Sequence, residues 1–260
     1  MLVLFASLWL GVSRVFAQED LAKQLSNPIS SLVSLPYQFN FDRQIGPVRD
    51  GDKFTLNIQP VIPFNLNSDW NLISRTIIPL SSQSDIFPGA GSQSGCGSTL
   101  QSFFFSPVKP AGGWLIWGIG PAISVPSTND PLLGSTRWGA GPTGVFLTQQ
   151  GPWTIGVLTN HIWSVSGSSR SGTVSQTFLQ PFVAYAAPDA WTFTLNSEST
   201  YDWVADRWSV PVNFTVSKIL KFGDLPPMSL GGTIGYWVDS PDTGPHGWRF
   251  RMTSTLLFPK

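Results

Sequence analysis

The segment NHIWS contains the residue types that nucleophilic catalysis would use: Asn160, His161 and Ser164. A serine nucleophile needs a general base within hydrogen-bond reach and a third group that orients the base. The sequence around these residues predicts a β-strand, and neighbouring residues of a strand point to opposite faces. Asn160 and His161 therefore cannot serve one site together. We interpret His161 as an interfacial or wall residue and expect no catalysis here.

Other residues that bind metals or act as nucleophiles are scarce. The chain has two histidines and one cysteine. His246 lies in a Pro/Gly-rich loop without companion ligands, so a metal site shared with His161 is not expected. Cys96 lies in the Gly/Ser-rich stretch SQSGCGST and has no second cysteine for an internal disulfide. The sequence predicts no cofactor and no enzymatic activity.

The composition indicates a membrane protein built from strands. Charged residues make up 12% of the chain, whereas about 25% is usual for soluble domains. The mature region contains no apolar run of the roughly 20 residues that a membrane helix needs. The 15 basic and 15 acidic residues balance, so electrostatic capture of nucleic acid is not expected. These features favour the outer membrane of a Gram-negative bacterium.

The first residues resemble an export signal. Residues 1–17 contain a short apolar stretch followed by Val15, Phe16 and Ala17, with small residues placed as a signal peptidase requires. We predict a signal peptide over 1–17 with cleavage before Gln18. The alternative interpretation is a buried N-terminal strand.

The residues after the predicted cleavage site form a separate segment. In residues 18–34, Leu21, Leu25 and Ile29 lie on one stripe of a short amphipathic helix. Such a helix could plug a lumen from the periplasmic side, or the segment could be a flexible periplasmic tail. Residues 35–260 are predicted to form one domain, the barrel.

Alternation of polar and apolar residues predicts the barrel itself. In residues 191–203, Trp191, Phe193 and Leu195 alternate with Thr192, Thr194 and Asn196, as a strand with an oily face and a wet face requires. We predict an all-β, transmembrane antiparallel barrel of about 12 strands over 35–45, 53–66, 70–80, 99–108, 114–126, 137–149, 153–166, 175–186, 191–203, 207–220, 228–239 and 247–258. Several of these segments contain prolines, which remove ladder donors and predict bends or bulges: Pro60, Pro63, Pro121, Pro142, Pro181 and Pro211.

Connection lengths and tryptophans give the predicted orientation. Short periplasmic turns alternate with longer extracellular loops when both termini are periplasmic, and the one short outer connection is the hairpin near Ala205. Tryptophans cluster at both strand ends, as expected for two interfacial girdles. The two groups are Trp70, Trp114, Trp153 and Trp191 at one end, and Trp138, Trp203, Trp208, Trp237 and Trp248 at the other.

Four stretches carry a family resemblance: GAGPTG (139–144), QQGPWTIGVLTNHIWSVSG (149–167), LQPFVAYAAPDAWTFTLNSESTYDW (179–203) and WSVPVNFTVSK (208–218). They resemble a family of outer-membrane transporters grouped with the barrel proteins of the phenol meta-degradation pathway and, more distantly, with channels for hydrophobic compounds. The resemblance covers nearly all of the mature chain. It implies passive transport of small molecules, with hydrophobic or aromatic compounds among them. The family shares no established substrate, so no binding residue carries over.

Polar residues on the predicted inward faces define a candidate lumen: Gln38, Asn40, Asp42, Gln44, Asn57, Gln59, Asn196, Glu198, Asp202, Asn213, Arg249 and Arg251. We expect Glu198 and Asp202 to face Arg249 and Arg251 across the lumen and to set a transverse field. The alternative is local neutralisation, in which Asp42 pairs with one of the arginines.

The function predicted from these observations is a passive channel for small molecules. The expected partners are outer-membrane lipid, small-molecule solutes and the barrel-assembly machinery. A non-transporting structural or surface-interaction barrel is the first alternative. An outer-membrane lipid hydrolase, which would use Ser164, is the second.

Overall fold

The computed structural model describes residues 18–128, 130–167 and 172–259, so the predicted signal peptide lies outside the described residues. No helix in these ranges is long and apolar enough to cross a membrane. The strands are β1 (Val33–Ile45), β2 (Gly51–Ile58), β3 (Val61–Asn65), β4 (Trp70–Ser84), β5 (Ser92–Cys96), β6 (Thr99–Pro107), β7 (Leu115–Val125), β8 (Arg137–Gln150), β9 (Trp153–Gly167), β10 (Ser175–Ala187), β11 (Trp191–Ser197), β12 (Ser199–Asp202), β13 (Arg207–Leu220), β14 (Met228–Asp239) and β15 (Gly247–Phe258).

These segments form a closed antiparallel barrel of 12 strands, which confirms the predicted fold class. Three wall strands are each interrupted once. β2 and β3 both pair with β4, β5 and β6 both pair with β4, and β11 and β12 both pair with β10 and β13. The pairing of β1 with β15 and of β9 with β10 closes the wall. Closure leaves no unpaired edge, as a barrel that spans a membrane requires.

One predicted loop is partly wrong. The connection expected over 80–98 is shorter, because β4 continues to Ser84 and the residues of β5 pair with this extension. Ser92 to Cys96 are polar or small, so they show no alternation of hydrophobicity. A strand that projects beyond the membrane is wetted on both faces and has no reason to alternate. The end of the barrel with these longer connections is called the loop end, and the opposite end the turn end.

The two faces of the wall separate apolar from polar side chains. Trp191, Phe193 and Leu195 of β11 are exposed on the outside, whereas Thr192 is buried. The prediction that Trp237 belongs to an interfacial girdle is wrong. Trp237 lies on the inner face of β14 and donates a hydrogen bond from Nε1 to Asp42 Oδ1 at 2.9 Å. Ile234, Tyr236 and Val238 of the same strand are exposed on the outside, so the alternation along β14 turns Trp237 inward.

A proline interrupts the wall next to the interior site. Pro60 lies between β2 and β3 and has no N–H to donate to the ladder. The neighbouring Gln59 is buried with its side chain inside the barrel, and its backbone N–H donates to Pro36 O at 2.9 Å. The interruption therefore places a polar side chain at the centre of the interior, as the bends predicted from the prolines allow.

The N-terminal segment, residues 18–32, lies inside the turn end of the barrel. Residues 18–25 are helical. Leu21, Ala22 and Leu32 pack against Ala190, Ile219 and Leu257 of the wall and its turn. Ile29 packs in a second apolar cluster with wall residues Ile73, Phe104, Val145, Leu147 and Leu158. Burial of these apolar side chains fixes the segment within the barrel.

Hydrogen bonds also hold the N-terminal segment. Gln149 Nε2 donates to Lys23 O at 2.9 Å, and the backbone N–H of Asp189 donates to Glu19 Oε1 at 3.2 Å. Both partners belong to the turn end. Of the two arrangements left open by the sequence, the segment takes the buried one.

Candidate solute pathway

The interior contains three cavities in series. The outer cavity lies at the loop end and is lined by Ile86, Leu132, Thr243 and Pro245 from the connections, together with polar residues of the wall. The middle cavity, of about 270 Å³, lies between the wall and the N-terminal segment. The inner cavity lies on the other side of that segment, towards the turn end, and is lined by residues such as Asn65, Asn71 and Pro110.

Neighbouring cavities share lining residues. Glu198 and Arg251 line both the outer and the middle cavity. Asn27 and Ser30 of the N-terminal segment line both the middle and the inner cavity. The three cavities therefore adjoin one another along the barrel at two junctions, one charged and one formed by the N-terminal segment.

The charged junction is a bidentate ion pair. Arg251 Nη1 donates to Glu198 Oε1 at 2.7 Å, and Arg251 Nη2 donates to Glu198 Oε2 at 2.6 Å. Arg251 Nε donates to Asn40 Oδ1 at 2.5 Å, which fixes the plane of the guanidinium. Two parallel N–H···O bonds to one carboxylate give a strong and directional contact.

A second arginine completes this charge cluster. Arg249 Nε lies 3.3 Å from Asp42 Oδ1, and Arg249 Nη1 lies 3.5 Å from Glu198 Oε2. The guanidinium also lies over the ring of Trp237, 4.9 Å from its centroid. The expectation of opposite charges held apart across the lumen is wrong. Glu198 contacts both arginines. Arg249 also pairs with Asp42, which is the local pairing that the sequence offered as the alternative.

A third interior arginine was missed in the sequence. Arg75 of β4 lines the middle cavity, and its Nη2 donates to Gln59 Oε1 at 3.0 Å. Gln59 Nε2 in turn donates to Gln38 Oε1 at 2.6 Å. Arg75 follows Ile73 by two residues, and that spacing gives both the same face. Because the predicted segment 70–80 alternates poorly, its inward face could not be identified.

Lys53 was also missed. It lines the outer cavity and lies opposite Asp42 in the register of β1 and β2. Thr55 and Asn57 predict the inward face of this strand. Lys53 precedes Thr55 by two residues, so the same alternation predicts that Lys53 also points inward. However, Lys53 is the first residue of the predicted segment 53–66, and a charged residue at a strand end is usually in water, so its sequence position does not indicate an interior charge.

Most of the predicted lumen residues line the path. Gln38, Gln59 and Asn196 line the middle cavity; Asn40, Asp42, Asn57 and Arg249 line the outer cavity; and Glu198 and Arg251 line both.

Three predicted residues have other positions. Asn213 is buried behind the cavity surface and donates from Nδ2 to Asn196 Oδ1 at 3.0 Å. Asp202 stabilises the hairpin at the loop end, where Oδ1 accepts hydrogen bonds from the N–H groups of Val204 and Ala205 at 2.9 and 3.0 Å. Gln44 is exposed at the loop end.

The candidate nucleophilic residues do not meet. His161 Nδ1 lies 2.7 Å from Thr177 Oγ1, and its Nε2 lies 3.4 Å from Ser175 Oγ. Ser164 Oγ instead accepts a hydrogen bond from the N–H of Val174 at 3.1 Å. Within 18–128, 130–167 and 172–259, no three His, Cys, Asp or Glu side chains are grouped to hold a metal ion.

Comparison with known proteins identifies the fold. No protein-family model matches the chain, and no curated protein matches it in sequence. The structure resembles an outer membrane channel from Pseudomonas putida F1, with a TM-score of 0.67 and 14% identity over 88% of this chain and 96% of that one. It also resembles the KdgM porin in complex with disordered oligogalacturonate, with a TM-score of 0.50 and 13% identity over 87% and 99% of the two chains.

A third similar structure is outer membrane phospholipase A from Escherichia coli, with a TM-score of 0.48, 12% identity and coverage of 89% and 94%. That similarity is too distant to bear on function. The chain therefore has the fold of bacterial outer-membrane β-barrels, channels among them. The link to phenol meta-degradation stays a prediction.

Proposed function

We propose that this barrel is a passive channel for small molecules. The observation that supports the proposal best is the series of three cavities, which follow one another from the loop end to the turn end and share lining residues at each junction. The fold-level likeness to an outer-membrane channel is consistent with this function.

The channel is narrow. The ion pair of Arg251 with Glu198 crosses the path at one junction, and the N-terminal segment occupies the other. Twelve strands leave limited room once side chains project inwards. We infer selective passage of single small molecules, with no cofactor and no chemical step.

The middle cavity is suited to solutes with apolar parts. Leu25, Leu158 and Phe182 line it beside the polar side chains. Hydrophobic or aromatic compounds therefore remain in the proposed range of solutes. Outside the wall, the exposed apolar side chains would contact lipid, and insertion would depend on the barrel-assembly machinery.

A non-transporting structural barrel is the second candidate. The two apolar clusters around Leu21 and Ile29 favour it, because they fill much of the turn end. If these clusters seal the barrel, the three cavities hold water but conduct nothing.

Conductance in a planar lipid bilayer separates the two candidates. We expect the purified, folded barrel to give small, discrete current steps in potassium chloride. Ser30→Trp should reduce the step size, because Ser30 lines the inner junction, whereas Ser68→Trp in an exposed turn should not change it. Folded protein that inserts and gives no steps would favour the structural barrel.

A further inference from the structure

We propose that the middle cavity binds small carboxylates that carry an apolar body, with benzoate as the simplest probe. This inference rests on the proposed channel function for its role in transport, but the binding site itself can be tested without transport. Three features of the interior support it: an excess of positive charge, an arginine with free donors, and an apolar wall in the same cavity.

The charge balance of the path is positive. The charged residues that line the outer and middle cavities are four cations, Lys53, Arg75, Arg249 and Arg251, and two carboxylates, Asp42 and Glu198. Both carboxylates are already engaged. Glu198 accepts both of its short hydrogen bonds from Arg251, and Asp42 contacts Arg249 and Trp237. The remaining positive charge favours an anionic solute.

Arg75 is the cation best placed to hold that anion. A guanidinium has five N–H donors. In the part of the chain that the structure describes, no carboxylate lies within ion-pair distance of Arg75, although Glu198 lines the same cavity and interacts with it electrostatically. The Arg75 side chain donates one hydrogen bond, to Gln59. By contrast, Arg251 in the same cavity is fully engaged with Glu198 and Asn40. Arg75 therefore keeps donors for a carboxylate, which a guanidinium binds through two parallel bonds.

Apolar side chains also line the middle cavity, among polar ones such as Gln180. Leu158 of β9 and Phe182 of β10 lie on neighbouring strands and line the middle cavity, and Leu25 of the N-terminal segment faces the same space. Leu158 belongs to the apolar cluster around Ile29, and Phe182 packs against it. A solute whose carboxylate meets Arg75 can place an apolar body against these side chains. A cavity of about 270 Å³ admits one such molecule rather than an oligomer.

Calorimetric titration of the folded protein in detergent tests the site directly. Three probes separate the two parts of the proposed ligand: benzoate has both, benzamide lacks the charge, and acetate lacks the apolar body. We expect benzoate to bind about tenfold or more tightly than either of the others, because each lacks one of the two interactions. Equal binding of benzoate and benzamide would overturn the proposal.

Two variants at Arg75 assign the site. Arg75→Gln should weaken benzoate binding about tenfold or more, while Arg75→Lys, which keeps the charge but loses the planar fork, should lie between the two. Arg43→Gln is the matched control, since Arg43 lies at the exposed loop end. If Arg75→Gln fails to fold, as judged by gel migration before and after boiling, Arg75→Lys carries the test. Wild-type affinity in every folded Arg75 variant would overturn the assignment.

The two proposals fail separately. Benzoate binding that depends on Arg75 in a barrel without conductance would retain the site and contradict the channel. Conductance without benzoate binding would retain the channel and contradict the site.

Discussion

Arg251 and Glu198 form a bidentate ion pair across the interior, although β13 and β14 lie between their strands in the wall. The two side chains meet across the lumen, and the pair is not a contact between adjacent strands. It is also well shielded, with side chains 8% and 19% exposed. Because it separates the outer from the middle cavity, the same contact affects both the stability of the barrel and the width of the path.

The ion pair predicts a large stability cost when one partner is removed. Glu198→Gln leaves Arg251 and Arg249 without their shared carboxylate. We expect the free energy of unfolding to fall by about 3 kcal/mol, because a shielded charge loses its partner. Denaturant titration, followed by the folded band on a gel without boiling, measures the change.

An exposed pair is the control for this experiment. Asp52→Asn removes the partner of Arg43, and the side chains of that pair are 71% and 55% exposed. Its effect should stay within about 1 kcal/mol. A similar loss in Asp52→Asn and Glu198→Gln would contradict the structural role given to the interior pair.

Reversal of both paired arginines should prevent folding. Arg249→Glu with Arg251→Glu would place two more carboxylates beside Glu198 and Asp42, where like charges repel and remain shielded from water. If the charges were held apart, as the transverse field expected from the sequence requires, this variant would fold and prefer cations. The packed cluster instead predicts that the heat-modifiable folded band is largely lost, and a high folded fraction would contradict the packing of the cluster.

Two glycines of β14 provide a matched pair of packing variants. A Cβ on Gly235 would contact Asn213 Oδ1 and lie 2.7 Å from Arg249 Cγ, whereas a Cβ on Gly232 would meet nothing within 4 Å. Gly235→Ala should lower the free energy of unfolding by about 2 kcal/mol through overpacking. Gly232→Ala should be neutral or slightly stabilising in the same denaturant titration.

Surface topology can be tested by cysteine labelling in a Cys96→Ser background. Ser92 begins β5 at the loop end, and Ser68 lies in a turn at the other end of the barrel. If the loop end is extracellular, Ser92→Cys should react with an impermeant maleimide in intact cells. Ser68→Cys should react only after the outer membrane is permeabilised, and the reverse pattern would invert the barrel.

The wall of the barrel was predictable because its physical signal is local. Successive residues such as Phe193 and Thr194 face the lipid side and the interior alternately, so hydrophobicity alternates with a period of two residues along the strand. The β5 segment escaped prediction because its residues are polar or small and show no alternation of hydrophobicity.

The interior site was predictable only in part. The face on which a residue lies follows from the local alternation of its strand, whereas contacts between side chains of distant strands do not. Glu198 and Arg251 were both placed on the inner face, yet their meeting depends on the curvature of the barrel and on the length of the arginine side chain. The N-terminal segment had two possible positions, because its stripe of Leu21, Leu25 and Ile29 shows that it needs an apolar partner without showing which one.

Single-channel recording of the purified barrel, with and without residues 18–32, tests the central claim most directly. The intact protein should give small steps, because the N-terminal segment lies between the middle and the inner cavity at Asn27 and Ser30. Removal of the segment should increase the step size severalfold, since it lies between the middle and the inner cavity and occupies the junction there. Folded, membrane-inserted intact protein that gives no steps in repeated recordings would contradict the proposed channel.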